Sequence, residues 1–424
     1  MFRRLFLVVL LLAALAWRSA EAQETRQGTL RKIDIANRTV VVRVGAADLE
    51  MTLTDETRVP GGDGRTLAEK LSSFTEGSEV VFRVVERRGR RVVLGMRPAA
   101  MAMGPPGRAA HGAAAGDRGS LADVPDLAEL VPLDRLGNGT YRGHTGGLYP
   151  DGRNQRPKEH EAAGLKLAAQ VRPLDAGGRP HPEGRIVLLS LGMSNASQAW
   201  QGFQLALGGY ARRNPRLLVV DGAQSNMTAA TIRNPDDGGR GTLYWAVVDR
   251  RLEQASATPA QVQAVWLKQA NFGPRAPFPA YARQLQSDLM RIAQIISQRF
   301  PNARLAYVSS RSYAGDSTGT INPEPFAYES GFAVKWLIEE QLEHNSALNF
   351  DESRGAVTSP WLSWGPYLWA NRRGEGATGR TAWERADFAK DGTHLSRAGQ
   401  RKAGLILLEF FGSDSTAAGW FNQR

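Results

Sequence analysis

Several short stretches of this chain carry the residue types that acyl transfer requires, most of them where an apolar run ends. Ser194 stands in Gly192-Met193-Ser194-Asn195, after the run Ile186-Val187-Leu188-Leu189. Open α/β sheets bind ligands at the carboxyl ends of their strands, so a serine there can be a nucleophile; an ordinary loop serine is the alternative. A serine nucleophile needs a base, a group that orients the base, and donors for an oxyanion. Asp391 and His394 are separated by two residues in "FAKDGTHLS". On a tight turn, this spacing lets the carboxylate reach the imidazole nitrogen that faces away from substrate, fixing the tautomer and stabilising the imidazolium. An Asp-x-x-His pair is common by chance, and an acid often caps a helix. Its place just before the last helical segment, far downstream of Ser194, gives it weight. Asn271, in "VWLKQANFGP", offers an amide to a developing oxyanion, or caps the turn before Gly273-Pro274. In "VVDGAQSNMT", Gly222 permits a tight bend whose backbone N–H groups could face the same place.

The elements that must position these residues follow from periodicity. The runs 185–192, 216–223, 263–270 and 304–311 are short and mostly apolar, as expected of parallel strands covered on both faces. Helical segments separate them. The clearest is 279–300, where Tyr281, Leu285, Leu289, Ile292 and Ile296 recur at three- or four-residue steps. A last helix spans about 396–411. The alternation predicts a doubly wound α/β/α sandwich.

In order and spacing, Gly192-x-Ser194-Asn195, the Gly222 turn, Asn271 and Asp391-x-x-His394 resemble the SGNH (GDSL-like) hydrolase superfamily over about 185–411. The "GMSN" form is similar to the "GQSN" of sialate and xylan acetylesterases. The resemblance implies a three-layer, flavodoxin-like fold with a five-stranded parallel core, and a serine esterase without metal or cofactor. It implies Ser194 as nucleophile, His394 as general base and then acid, and Asp391 as its orienter. The Ser194 backbone N–H and the Asn271 side chain would be oxyanion donors. The third donor departs from the family pattern, because Ser225-Asn226 occupy the stretch where a glycine is usual. Asn226 fits by spacing, with Gly222 in a shifted turn as the alternative. A literal Gly315-Asp316-Ser317 lies past the fourth run, out of order, and reads as a loop. The Gly-x-Ser-x-Gly elbow is absent, since Ala196 follows Asn195.

The N-terminal region differs in kind. Arg3-Arg4, the apolar run Leu5 to Trp17 and Ala20-Glu21-Ala22 read as a signal peptide over 1–22, too short to span a membrane and implying export to the periplasm or beyond. Residues 23–99 hold five short strand patterns and a short helix, "TLAEKLSSF", and predict a small SH3-like or OB-like barrel. It has no His or Trp and only Met51 and Met96, which argues against a metal role. Residues 100–120 are mostly Ala, Gly and Pro, a linker composition, and 121–424 is the predicted hydrolase domain.

The absence of cysteine excludes disulfides, thiolate metal sites and a cysteine nucleophile. The formal charge of +11 suits an acidic polysaccharide or envelope phosphate, but no basic run interleaves with aromatics as nucleic-acid binding would favour. Trp361, Trp364, Tyr367 and Trp369 read either as an aromatic wall for sugar rings or as a packed strand and loop. Glu329 and Lys335 read as substrate contacts or, more simply, as solvated or capping residues. His144 and His160 lack metal-ligand spacing. The expected partner is an ester, with acetylated carbohydrate the favoured class. A non-catalytic envelope or carbohydrate-binding protein on the same fold is the competing reading.

Overall fold

The computed structural model describes residues 24–98 and 130–423, apart from 36, 55–56, 60–70, 72–73, 75, 88, 273–275, 318–322 and 372–381. The signal peptide, the linker and most of the short helix at 66–74 lie outside the described residues. The chain divides into two compact units, with the division between 114 and 115.

The first unit is a closed barrel of β1 (Glu24–Asp34), β2 (Thr39–Val44), β3 (Ala47–Thr52), β4 (Glu79–Arg87) and β5 (Arg90–Pro98), in the order β1-β2-β3-β5-β4. Alternation of side chains sets the inside: Val40 and Val42 are buried, while Arg43 between β2 and solvent is exposed. Met51 and Met96 pack in this core with Leu30, Phe82 and Val93. Closure removes the strand edges that would otherwise invite pairing with another chain.

The second unit is built on a five-stranded parallel sheet. Its strands are β6 (Ile186–Gly192), β7 (Leu217–Asp221), β8 (Val262–Lys268), β9 (Leu305–Ser309) and β10 (Trp361–Trp364), in the order β10-β9-β8-β6-β7. Every residue of β6 and β8 is buried, which is why these strands read as apolar runs rather than alternating ones. Around the sheet lie α1 (Lys158–Ala168), α2 (Ser194–Gly208), α3 (Arg240–Gln254), α4 (Ala280–Arg299), α5 (Phe326–Leu342) and α6 (Arg397–Ser413). The chain steps outward from β6 to β7, then returns past β6 to β8. That reversal falls at the carboxyl ends of β6 and β8, the usual ligand position in such sheets.

Helix α2 packs on α6 at close range because glycines face each other. A β-carbon on Gly202 would overlap the Gln400 carbonyl oxygen, and one on Gly404 would overlap the backbone of Gly202. Below them Trp200 stacks on Trp266 of β8, centroids 5.7 Å apart, which fixes α2 on the sheet. Gly202→Ala should therefore destabilise the protein by about 1–3 kcal/mol, the usual cost of overpacking. Denaturant unfolding measures it; wild-type stability in the variant would contradict this helix contact.

Candidate active site

Ser194 is the first residue of α2, so its side chain leaves the sheet at that reversal. The turn into it requires glycine at 192, where a β-carbon would overlap the Lys268 carbonyl oxygen of β8. The Gly192 N–H donates to the Tyr244 hydroxyl at 3.1 Å. Asp221, at the end of β7, accepts from Ser190 Oγ at 2.8 Å and Ser197 Oγ at 2.6 Å, tying β6, β7 and α2 together.

Ser194 Oγ lies 2.9 Å from His394 Nε2, and His394 Nδ1 lies 2.6 Å from Asp391 Oδ2. The other oxygen, Asp391 Oδ1, accepts the backbone N–H of Thr393 and of His394, both at 2.9 Å. Burial alone would raise the Asp391 carboxyl above its ordinary value. The hydrogen bonds from the His394 ring and from these two N–H groups outweigh burial, and the net displacement is downward. The carboxylate is thereby held ionised beside the imidazole.

The turn carrying His394 is held from behind by the first turns of α2. Asn195 Nδ2 donates to the Thr393 carbonyl at 2.7 Å, and Gln198 Oε1 accepts the Leu395 N–H at 2.9 Å. Ser317 Oγ contacts Thr393 Oγ1 at 2.8 Å, so the Gly315-Asp316-Ser317 loop buttresses the turn. Ser396 caps α6 by accepting the Gly399 N–H at 3.3 Å.

Two expected oxyanion donors are engaged elsewhere. The Gly222 N–H donates to the Ser190 carbonyl at 2.9 Å, extending the pairing of β7 with β6. The Asn271 carboxamide joins two segments: Oδ1 accepts the Ala230 N–H at 2.8 Å, and Nδ2 donates to Asp288 Oδ2 at 2.7 Å. The turn at Gly273-Pro274, which Asn271 would cap in the alternative reading, lies outside the described residues. Asn226 adopts φ +62°, and among the described residues neither its N–H nor that of Ser194 has a hydrogen-bond partner. The Asn195 and Gln198 supports escaped the sequence reading, as did two buried cations, Lys268 and Arg311. A lysine closing an otherwise apolar run was the visible signal for Lys268.

No family model matches the sequence, and no curated protein matches it. Solved structures resembling parts of the chain include the periplasmic domain of a lipopolysaccharide acetyltransferase from Salmonella ser. Paratyphi A. That likeness has 13% identity and a TM-score of 0.31, over 60% of this chain and 94% of that one. A lipase, Lip_vut3, from a goat rumen metagenome has 9% identity and a TM-score of 0.29, over 54% of this chain and 99% of the lipase. Apo-CusF from Escherichia coli has 13% identity and a TM-score of 0.15, over 19% of this chain and 92% of CusF.

The remaining candidates lie away from the Ser194–His394 contact. Trp361, Trp364, Tyr367 and Trp369 are buried in the core. His160 is buried against Trp361 with Nε2 at 2.8 Å from the Leu362 carbonyl, and His144 packs edge-on to Phe278 and Trp336. Among the described residues, no three His, Asp or Glu side chains gather as a metal site. Lys335 donates to the Tyr149 carbonyl at 3.0 Å and to Glu339. Glu329 is buried and accepts the Tyr141 hydroxyl at 2.8 Å, while its Oε2 has no partner.

Burial pushes the Glu329 carboxyl up to about 7, against the opposing effects of Tyr141 and Arg142. The folded state therefore binds this proton more tightly than the unfolded chain. Its stabilising contribution is complete below the unfolded value near 4.5 and is lost as pH rises through about 7. The loss amounts to roughly 3 kcal/mol at most. Glu329→Gln should gain stability relative to wild type between pH 5 and pH 8, read from melting temperatures; a pH-independent difference would contradict this.

Proposed function

We propose that the chain is an exported serine ester hydrolase of SGNH type, its sheet covered on both faces as a three-layer α/β/α sandwich. The observation that carries this reading is the unbroken relay from Ser194 Oγ through both His394 ring nitrogens to Asp391, at 2.9 and 2.6 Å. Each length is within hydrogen-bond reach for proton transfer. Its placement at the sheet's topological reversal supports the same reading.

In the mechanism, His394 Nε2 takes the Ser194 hydroxyl proton as Oγ attacks the ester carbonyl. Asp391 holds the imidazole in the tautomer with the proton on Nδ1 and stabilises the imidazolium. The tetrahedral oxyanion is held by backbone N–H groups, Ser194 at the start of α2 and Asn226 in the β7 turn. His394 returns the proton to the departing alcohol, and water then resolves the acyl-enzyme by the same route reversed. A short acyl group, acetyl foremost, on a carbohydrate alcohol is the substrate class proposed.

The purified protein should hydrolyse p-nitrophenyl acetate, and Ser194→Ala should remove that activity to background. Asp391→Asn should lower kcat by about 10⁴, because the imidazole loses its fixed tautomer. Equal turnover by wild type and Ser194→Ala would contradict the proposal and favour a binding protein on this fold.

A further inference from the structure

Two buried basic side chains, Lys268 and Arg311, lie near the start of α2 with no carboxylate bound to either. Lys268 is the last residue of β8, in register with Gly192 of β6, two residues before the serine. By the pleat it shares a side of the sheet with Trp266, whose indole stacks on Trp200 of α2. Arg311 follows the end of β9, and its Nη1 donates to Asn195 Oδ1 at 2.9 Å. Both side chains are only 4% exposed. Lys268 Nζ has no hydrogen-bond partner among the described residues, and Arg311 Nε is buried without one. Burial displaces both groups downward, and the charge of Arg311 adds to the displacement of Lys268.

The carboxylate whose charge Arg311 feels is Glu324, and it is occupied otherwise. Glu324 accepts from the backbone N–H of Ala314 and Tyr328 and from Trp369 Nε1, at 2.8–2.9 Å. Burying one unpaired cation is costly, and burying two side by side more so, unless an anion completes the group. The structural requirement of the fold does not explain them: a methionine-sized apolar chain would fill the Lys268 position at lower cost. Asn195 already links Arg311 to the turn that bears His394, so an anion here would lie against the same first turn of α2 that presents the nucleophile.

We propose that Lys268 and Arg311 form an anion subsite beside Ser194, which takes a carboxylate, sulfate or phosphate group on the alcohol portion of the ester. The proposal rests on the esterase reading above and adds to it: the preferred substrate is an ester of an acidic alcohol, such as an acidic sugar. Paired charge-assisted hydrogen bonds to such a group favour an acidic substrate over a neutral one by about ten-fold or more.

Two measurements test it together. Initial rates on O-acetylated glucuronic acid and O-acetylated glucose give the acidic-over-neutral ratio of kcat/KM. Calorimetry with glucuronate, inorganic sulfate, inorganic phosphate and glucose reads binding without any reaction, and ranks the three anions. Wild type should show a ratio of about ten or more and bind at least one anion more tightly than glucose. Lys268→Met should bring the ratio toward one and weaken anion binding by a similar factor, with melting temperature confirming the fold and Lys268→Gln as the second variant. No anion bound better than glucose, or anion binding undiminished in both variants, overturns the subsite. Anion binding without hydrolysis of either ester leaves the subsite standing and removes the esterase reading. Hydrolysis of both esters at equal rate without anion binding does the reverse.

Discussion

The hydrogen bond from the Asn195 amide to the Thr393 carbonyl joins stretches of chain 198 residues apart, and the Ser194–His394 contact depends on it. Ser194 is fixed by β6 and α2, whereas His394 arrives on a short turn from the far end of the chain. Within that turn Asp391 orients the imidazole through Nδ1, but the turn itself must still be fixed against α2. Asn195 fixes it by donating to the Thr393 carbonyl, and Gln198 by accepting the Leu395 N–H, on either side of His394. The same register is enforced one level down, where Gly202 and Gly404 let α2 and α6 approach until backbone meets backbone. A helix pair held at ordinary spacing would carry the histidine away from the serine.

Charge completes what packing begins. Asp391 divides its two oxygens, one to the imidazole and one to the backbone of its own turn, so the carboxylate that polarises His394 also shapes the turn that carries it. Arg311 reaches the same network from behind through Asn195 Oδ1, with Lys268 as its neighbour. Asn195, beside Ser194, therefore connects the Ser194–His394–Asp391 geometry to the buried basic pair. An anion accepted there would be sensed one residue from the Ser194 hydroxyl.

The strands, the main helices and the Ser194, Asp391 and His394 positions were legible because each rests on local pattern: apolar runs, three- and four-residue steps, and a tight turn before a helix. The fifth strand, Trp361–Trp364, read equally well as an aromatic wall, since four residues are too few to show a period. Residue type and position point Asn271 and Gly222 toward an oxyanion, whereas their hydrogen-bond partners lie on neighbouring elements. Asp288 on α4 takes the Asn271 amide, and the Ser190 carbonyl of the neighbouring strand takes the Gly222 N–H. Such pairings come from strand and helix contacts that residue type alone does not encode. Asn195 shows the same principle in the other direction, a family-like motif residue whose work lies across the fold.

Whether Ser194, activated by His394, is a nucleophile can be read from covalent labelling. Reaction of the folded protein with a fluorophosphonate, followed by intact mass and peptide mapping, tests it most directly. One adduct is expected, on Ser194, formed more slowly when His394 is replaced by Ala. An adduct on Ser317, or no adduct on the folded protein, would contradict it.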